Sequence, residues 1–176
     1  KPRMLVLAPT RELAMQSDAV LCEFGKVVGL QSVTLYGGVP KHTQVAALKK
    51  GNIDCLVATP GRLKDLIQDR SCDLSSISIL VLDEADRMLD MGFEEDVKFI
   101  ISQTDATLRQ TSMFSATWPT AIQEIAAKYM KNPIRVLVGF DSIADAVDDS
   151  VSANKRVEQI VEVIEDRQRE ARLREI

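Results

Sequence analysis

Short, mostly apolar runs recur along this chain at residues 4–8, 33–36, 55–58, 79–82, 112–114 and 134–138, most of them followed by a turn signal and an amphipathic stretch. A strand with one face in water alternates apolar and polar residues. These runs are nearly continuous, as suits strands buried on both faces of a parallel sheet. Helical periodicity fills the gaps at 11–27, 43–50, 61–68, 93–102 and 120–130, and Gly51 just past Lys49 and Lys50 is a helix stop. Strand–helix alternation of this kind predicts a doubly wound α/β fold, a mainly parallel sheet with helices on both faces.

A length of 176 residues suits one such domain plus a tail. With 45% hydrophobic and 27% charged residues, the balance is that of a folded chain rather than a disordered one. No apolar run approaches the ~18 residues of a membrane span. The run after Lys1-Pro2-Arg3 is too short for a signal sequence and leads straight into Pro9-Thr10-Arg11. Cys22, Cys55 and Cys72 are odd in number and share no metal-ligand spacing, so they read as free thiols of a reducing intracellular compartment.

The net charge of −4 is localised. Residues 141–149 carry four Asp and no base, and residues 150–176 hold six basic and six acidic side chains. Subtracting these from 22 basic and 26 acidic residues leaves 16 of each for residues 1–140. A neutral body cannot hold nucleic acid through a broad basic field, so any such binding rests on a few placed groups. After Gly139 the α/β pattern breaks: 141–156 reads as an acidic linker, 157–164 is again strand-like, and 167–176 reads as the start of a helix. That pair is expected to open a second domain, leaving 1–140 as the first.

In open α/β sheets ligands bind beyond the carboxyl ends of the strands, and four unusual sequences stand there. In the first, Thr10 is a good N-cap, so the following helix would aim free N–H groups and its positive end at the crevice, with Arg11 as an added donor. Taken alone, a capped helix whose Arg11 pairs with a neighbouring acid is the favoured reading. Thr59-Pro60-Gly61-Arg62 repeats the design, with Pro60 at the first helical position and Gly61 permitting close approach. Gly37-Gly38 offers a further exposed backbone, or simply a turn. Asp83-Glu84-Ala85-Asp86 ends a buried strand where an acid can hold Mg2+ against a nucleotide and a second can orient water; solvated caps are the alternative. Ser115 and Thr117 could bond Asp86 from the adjacent strand end, or could cap the next helix.

Taken together, PTRELA at 9–14, GG at 37–38, TPGR at 59–62, DEAD at 83–86 and SAT at 115–117 resemble motifs Ia, GG, Ib, II and III of the DEAD-box RNA helicases, in order and in spacing. The resemblance covers essentially all of residues 1–140 and implies a first RecA-like domain using ATP and Mg2+. It implies that Asp83 holds the Mg2+, through water, and that Glu84 positions the hydrolytic water. Asp86, Ser115 and Thr117 would couple ATP state to unwinding. Thr10, Arg11, Gly38, Thr59, Gly61 and Arg62 would contact the RNA sugar-phosphate backbone, and the helix at 61–68 would bend the bound strand. The implied partners are RNA and a second RecA-like domain, with no membrane. Only eight residues are aromatic and none neighbours the basic sites in sequence, so a base-stacking platform is not expected and the grip should ignore sequence. Trp118-Pro119 after SAT, with 153–157 and 159–161, is similar to the nuclear subgroup acting in ribosome assembly and mRNA metabolism. That implies a nuclear or nucleolar setting. His42 is expected near a helix start and Trp118 as a packing residue.

The family's phosphate loop, a GxGKT-type sequence, and its adenine-reading glutamine motif would lie upstream of Pro9. No GK[ST] occurs in residues 1–176, and Gly25-Lys26-Val27 lacks both the hydroxyl and a preceding strand. The sheet is therefore expected to be incomplete at its N-terminal strand, which in the family lies between the strands at 112–114 and 134–138. The 176 residues alone are expected not to turn over ATP. A non-catalytic RecA-like module binding RNA or protein is the alternative, while a DNA helicase is disfavoured by the PTRELA and TPGR pair.

Overall fold

The structure, a computed structural model, describes residues 1–138 and 160–175. It divides into two compact units, Lys1–Val136 and Leu137–Ile176. In the first, strands β1 (Met4–Leu7), β2 (Ser32–Leu35), β3 (Cys55–Ala58), β4 (Ile79–Leu82) and β5 (Gln110–Met113) form one sheet in the order β2-β3-β1-β4-β5. All four pairings are parallel. The connecting helices are α1 (Arg11–Val28), α2 (Lys41–Lys49), α3 (Pro60–Gln68), α4 (Ala85–Asp90), α5 (Glu94–Ser102) and α6 (Thr120–Tyr129).

Successive side chains of a strand face opposite sides, which explains the continuous apolarity. Leu5 and Leu7 of β1 enter the larger core with Leu63 and Leu66 of α3, Ile100 and Ile101 of α5 and Ile122 of α6. Val6 and Ala8 enter a smaller core with Val57 and with Ala14 of α1. The α/β architecture with helices on both faces is therefore present, but the two faces are covered unequally. Ile79, at the start of β4, stays 43% exposed. α1 is closed by Gly29 in the left-handed conformation, and Gly25 is buried where a Cβ would lie 2.8 Å from the Leu30 carbonyl oxygen.

Two expectations need correction. Residues 134–138 form no strand, and Ile134, Val136 and Val138 are 89%, 78% and 87% exposed. A strand needs a neighbour to share its N–H and C=O groups, and among the described residues none pairs with this run or with the outer edge of β5. Second, 160–164, part of the strand expected at 157–164, carries none. The acidic linker at 141–156 lies outside the described residues. The second unit does hold helix, a single 3-10 turn at Asp166–Gln168 continuing into α7 (Arg169–Glu175), with Arg172 donating two hydrogen bonds to Glu162 at 2.7 and 2.6 Å. Among the described residues no helix is long and apolar enough to cross a membrane.

Candidate functional site

Parallel pairing in one register puts Leu7, Leu35, Ala58, Leu82 and Met113 in a single lateral row. One residue further, backbone bonds cross the whole sheet. Thr59 N donates to Leu35 O at 2.9 Å, Ala8 N to Ala58 O at 3.0 Å, Asp83 N to Leu7 O at 2.9 Å and Phe114 N to Leu82 O at 2.8 Å. The carboxyl edge thus carries all five motifs, and the strand order sorts them. Gly37-Gly38, Thr59–Arg62 and Thr10-Arg11 follow the neighbours β2, β3 and β1, while Asp83–Asp86 and Ser115–Thr117 follow β4 and β5.

On the first half, Thr10 caps α1, its Oγ1 accepting from Leu13 N at 3.3 Å. Arg11 is exposed and pairs with no acid among the described residues; its guanidinium lies over the Tyr36 ring, 5.1 Å from the centroid. An aromatic ring does therefore adjoin a basic site, against the expectation from sequence. Gly37 and Gly38 are exposed, with nothing within 4 Å of where a Cβ would stand, and Gly38 has φ +83°, a conformation only glycine adopts freely. Thr59 is the N-cap residue of α3 with Pro60 following, but its hydroxyl makes no capping bond. Gly61 is exposed and no backbone approaches it; the nearest atom to a Cβ there would be a Phe93 ring carbon at 3.9 Å.

Arg62 is placed differently from a free surface donor. Its side chain is 12% exposed, and its two terminal nitrogens donate to Gln44 Oε1 and to Val39 O, each at 3.0 Å. Gln44, 7% exposed, donates in turn from Nε2 to Tyr36 O at 3.0 Å. Five guanidinium N–H groups minus these two leave donors to spare, but only at the rim. His42 is exposed on the first turn of α2, and Trp118 packs partly buried against the larger core with Arg135 over its ring.

On the second half, α4 starts directly after β4, a helix absent from the sequence reading. Glu84 enters it at φ +47°, ψ +53°, a left-handed conformation costing a non-glycine residue roughly 1–2 kcal/mol. It is held there by Ala85 N donating to Phe114 O at 3.0 Å, and its carboxylate pairs with Arg87 at 3.2 Å. One Asp83 oxygen accepts from Glu84 N at 3.0 Å, leaving the other open. No group of three or more metal-ligating side chains exists among the described residues. One or two partly buried carboxylates fit Mg2+, which keeps most of its waters and takes its remaining ligands from phosphate. The phosphate cradle itself has no counterpart here: Gly25-Lys26-Val27 lies inside α1.

Asp86 closes the site. One carboxylate oxygen accepts from Thr117 N at 2.9 Å and from Thr117 Oγ1 at 2.7 Å. Ser115 Oγ accepts from Asp86 N at 3.2 Å and donates to Thr117 O at 2.8 Å. Burial alone would raise the Asp86 pKa, but the hydrogen bonds from the Thr117 hydroxyl and N–H and from Arg87 N–H outweigh it and hold the carboxyl below its ordinary value. Tyr36, Gln44 and Arg87 were not picked out from sequence. For Gln44 a signal existed, a polar residue one turn before Leu48 on the buried face of α2.

Comparison with known proteins identifies the family and the fold. The sequence profile described as DEAD/DEAH box helicase matches residues 1–125. DEAD-box ATP-dependent RNA helicase 5 of Oryza sativa subsp. japonica is 54% identical over 173 residues, covering 98% of this chain and 32% of that protein. ATP-dependent RNA helicase DBP3 of Saccharomyces cerevisiae is 51% identical over 174 residues, covering 99% and 32%. The chain thus spans about a third of the length of these curated relatives. Among solved structures, the yeast DEAD-box splicing factor Prp28 aligns with a TM-score of 0.70 at 38% identity, over 74% of this chain and 31% of that one. A hypothetical ATP-dependent RNA helicase from Sulfolobus tokodaii gives 0.69 at 38% identity, over 74% and 39%. The five-stranded parallel sheet is the RecA-like layer of such proteins, and the chain belongs to the DEAD/DEAH box helicase family.

Proposed function

We propose that this chain supplies the RNA-gripping edge and the catalytic acids of an ATP-dependent RNA helicase, acting in ribosome biogenesis or mRNA metabolism in the nucleus. The observation that carries the reading is the sorting of the carboxyl edge: an exposed glycine pair and two helix starts after β2, β3 and β1, acids and hydroxyls after β4 and β5. Thr10, Arg11, Gly38, Thr59, Gly61 and Arg62 meet the sugar-phosphate backbone of one RNA strand, two helix starts and a glycine backbone serving as anion sites. Asp83 orients the waters of Mg2+ and Glu84 the attacking water, while Asp86 with Ser115 and Thr117 links the nucleotide side to the RNA side. ATP with Mg2+, held by Asp83 and Glu84 in the longer protein, would supply the phosphoryl group that is hydrolysed. A second RecA-like domain completes the site in the longer protein. The nuclear assignment rests on the Trp118-Pro119 continuation of SAT and the residues at 153–161.

The 176 residues by themselves bind without turnover, a non-catalytic module, since they contain no GK[ST] loop. Two assays test this. Fluorescence anisotropy with a labelled ten-nucleotide oligouridylate should show binding that weakens steeply with salt and is indifferent to base sequence. Phosphate release from ATP should be absent with and without RNA. RNA-stimulated turnover abolished by Glu84→Gln would overturn the non-catalytic reading of the isolated chain. Stronger binding of the matching DNA than of RNA would overturn the choice of RNA.

A further inference from the structure

We infer that Gln44 is a positioning residue for nucleic-acid binding, the bolt that holds the Gly37-Gly38 loop in its phosphate-accepting shape; this rests on the RNA reading above. Gln44 and Thr104 are the two buried polar side chains among the described residues. Thr104 donates to Ile101 O one turn back and accepts from Arg109, five residues on. Gln44 instead reaches out of its helix, donating to Tyr36 O and accepting from Arg62 at 3.0 Å each. Arg62 passes the linkage on to Val39 O, also at 3.0 Å. Tyr36 and Val39 are the residues immediately before and after the two glycines, so both ends of the loop are pinned through one buried amide and one guanidinium.

The pinning has a purpose in the loop itself. Gly37 N–H and Gly38 N–H have no hydrogen-bond partner among the described residues, and both residues are exposed. Amides pointing at solvent from a turn make a site for an anionic oxygen. Two adjacent glycines are also the most mobile backbone a chain can have, and ordering them on binding would cost affinity. A loop already fixed at both flanks avoids that cost. Gln44 carries no charge and is buried, so it acts on the ligand only through the loop. Arg62, being 12% exposed, shares this task in addition to any contact at the rim.

The test compares the 176-residue chain with Gln44→Met, which keeps the volume and loses both bonds. Gln44→Glu serves as a second variant, keeping an acceptor for Arg62 while setting a carboxylate oxygen against Tyr36 O. Binding of labelled oligouridylate is measured across a salt series, and 15N relaxation is recorded for Gly37 and Gly38. Both variants should bind roughly tenfold more weakly, the scale expected when a preformed loop must be ordered on binding. In Gln44→Met the salt slope should be unchanged, because no charge is added or lost. Order parameters should fall at Gly37 and Gly38 while amide shifts in β1 and β4 stay put. Wild-type affinity in either folded variant, or glycine order parameters equal to wild type, overturns the inference. In Gln44→Met a fall in affinity accompanied by a shallower salt slope overturns it too, because that is the signature of a lost charge contact. If the unaltered chain does not bind RNA at all, the RNA reading fails, and the relaxation data alone still decide whether Gln44 holds the loop.

Discussion

Thr117 gives two hydrogen bonds to a single oxygen of Asp86, one from its N–H at 2.9 Å and one from its hydroxyl at 2.7 Å. The pair joins the segments that follow β4 and β5, the two strands on the acid-bearing half of the site. Because only the ionised carboxylate is a full acceptor for both donors, the linkage is as strong as the charge on Asp86.

Thr117→Val removes the hydroxyl and keeps the N–H. It should cost about 1 kcal/mol at neutral pH, the value of one charge-assisted bond discounted for exposure. The Asp86 pKa is lowered from an ordinary 3.8, so the stabilisation is present above that value and lost as pH falls through the folded-state value. Urea unfolding of wild type and variant should therefore differ at pH 7 and converge below about pH 4. A gap that persists at low pH would show that the hydroxyl acts on something other than the carboxylate.

Glu84 sits at φ +47°, where glycine is at ease and a β-branched residue is not. Glu84→Gly should leave stability unchanged or raise it by up to about 1 kcal/mol, whereas Glu84→Val should lower it by about 1–2 kcal/mol. The urea midpoints of the two variants must fall on opposite sides of that ordering, glycine above valine. The reverse order would mean that the side chain, rather than the backbone, dictates this turn.

Gly25 tests packing at the far end of α1. Alanine in place of glycine inside a helix ordinarily gains about 1 kcal/mol. Here the new Cβ would stand 2.8 Å from the carbonyl oxygen of Leu30, the residue whose N–H closes the turn by donating to Gly25 O. Overpacking of this kind outweighs the gain, so Gly25→Ala should lose about 1–2 kcal/mol net. A thermal midpoint at or above that of wild type would refute it.

The open side of β5 bears on behaviour in solution. In hydrogen exchange the amides of residues 134–138 should exchange quickly while those of β4 are protected, since only the latter lie in the ladder. Unpaired edges and exposed apolar runs recruit other chains, so the isolated chain should self-associate at high concentration. Val136→Lys, at a 78% exposed position, should reduce light scattering with little change in unfolding midpoint. Protection of residues 134–138 equal to that of β4 in a soluble monomer would refute this reading of the edge.

What sequence could show was local. Thr10 and Thr59 read correctly as residues opening helices because an N-cap is written within four residues of chain. The core strands read correctly because burial on both faces leaves a continuous apolar trace. Residues 134–138 have the same trace and form no strand, since apolarity does not name a partner. α4 escaped because six residues with Ala85 and Met88 as the buried pair give too short a period to stand out. The state of Arg62 was illegible for a different reason: its partners Gln44 and Val39 are 18 and 23 residues away along the chain. Tyr36 beneath Arg11 is likewise a gift of the strand order.

The unbroken rung of backbone bonds from Leu35 O across to Phe114 N makes the site edge behave as a stiff bar. Sliding one strand past the next would break several amide–carbonyl bonds at once, and packed layers of this kind switch between discrete arrangements instead of stretching. The spacing between the half that carries Thr10, Gly38 and Thr59 and the acid-bearing half is therefore a constant of this unit. Whatever the acids sense can reach the other half in two ways only, by carrying the whole bar as a lever or by changing the loops bolted to it at Asp86–Thr117 and at Gln44. A change at one end of the bar arrives at the other undiminished, because no rung of the ladder between them is missing.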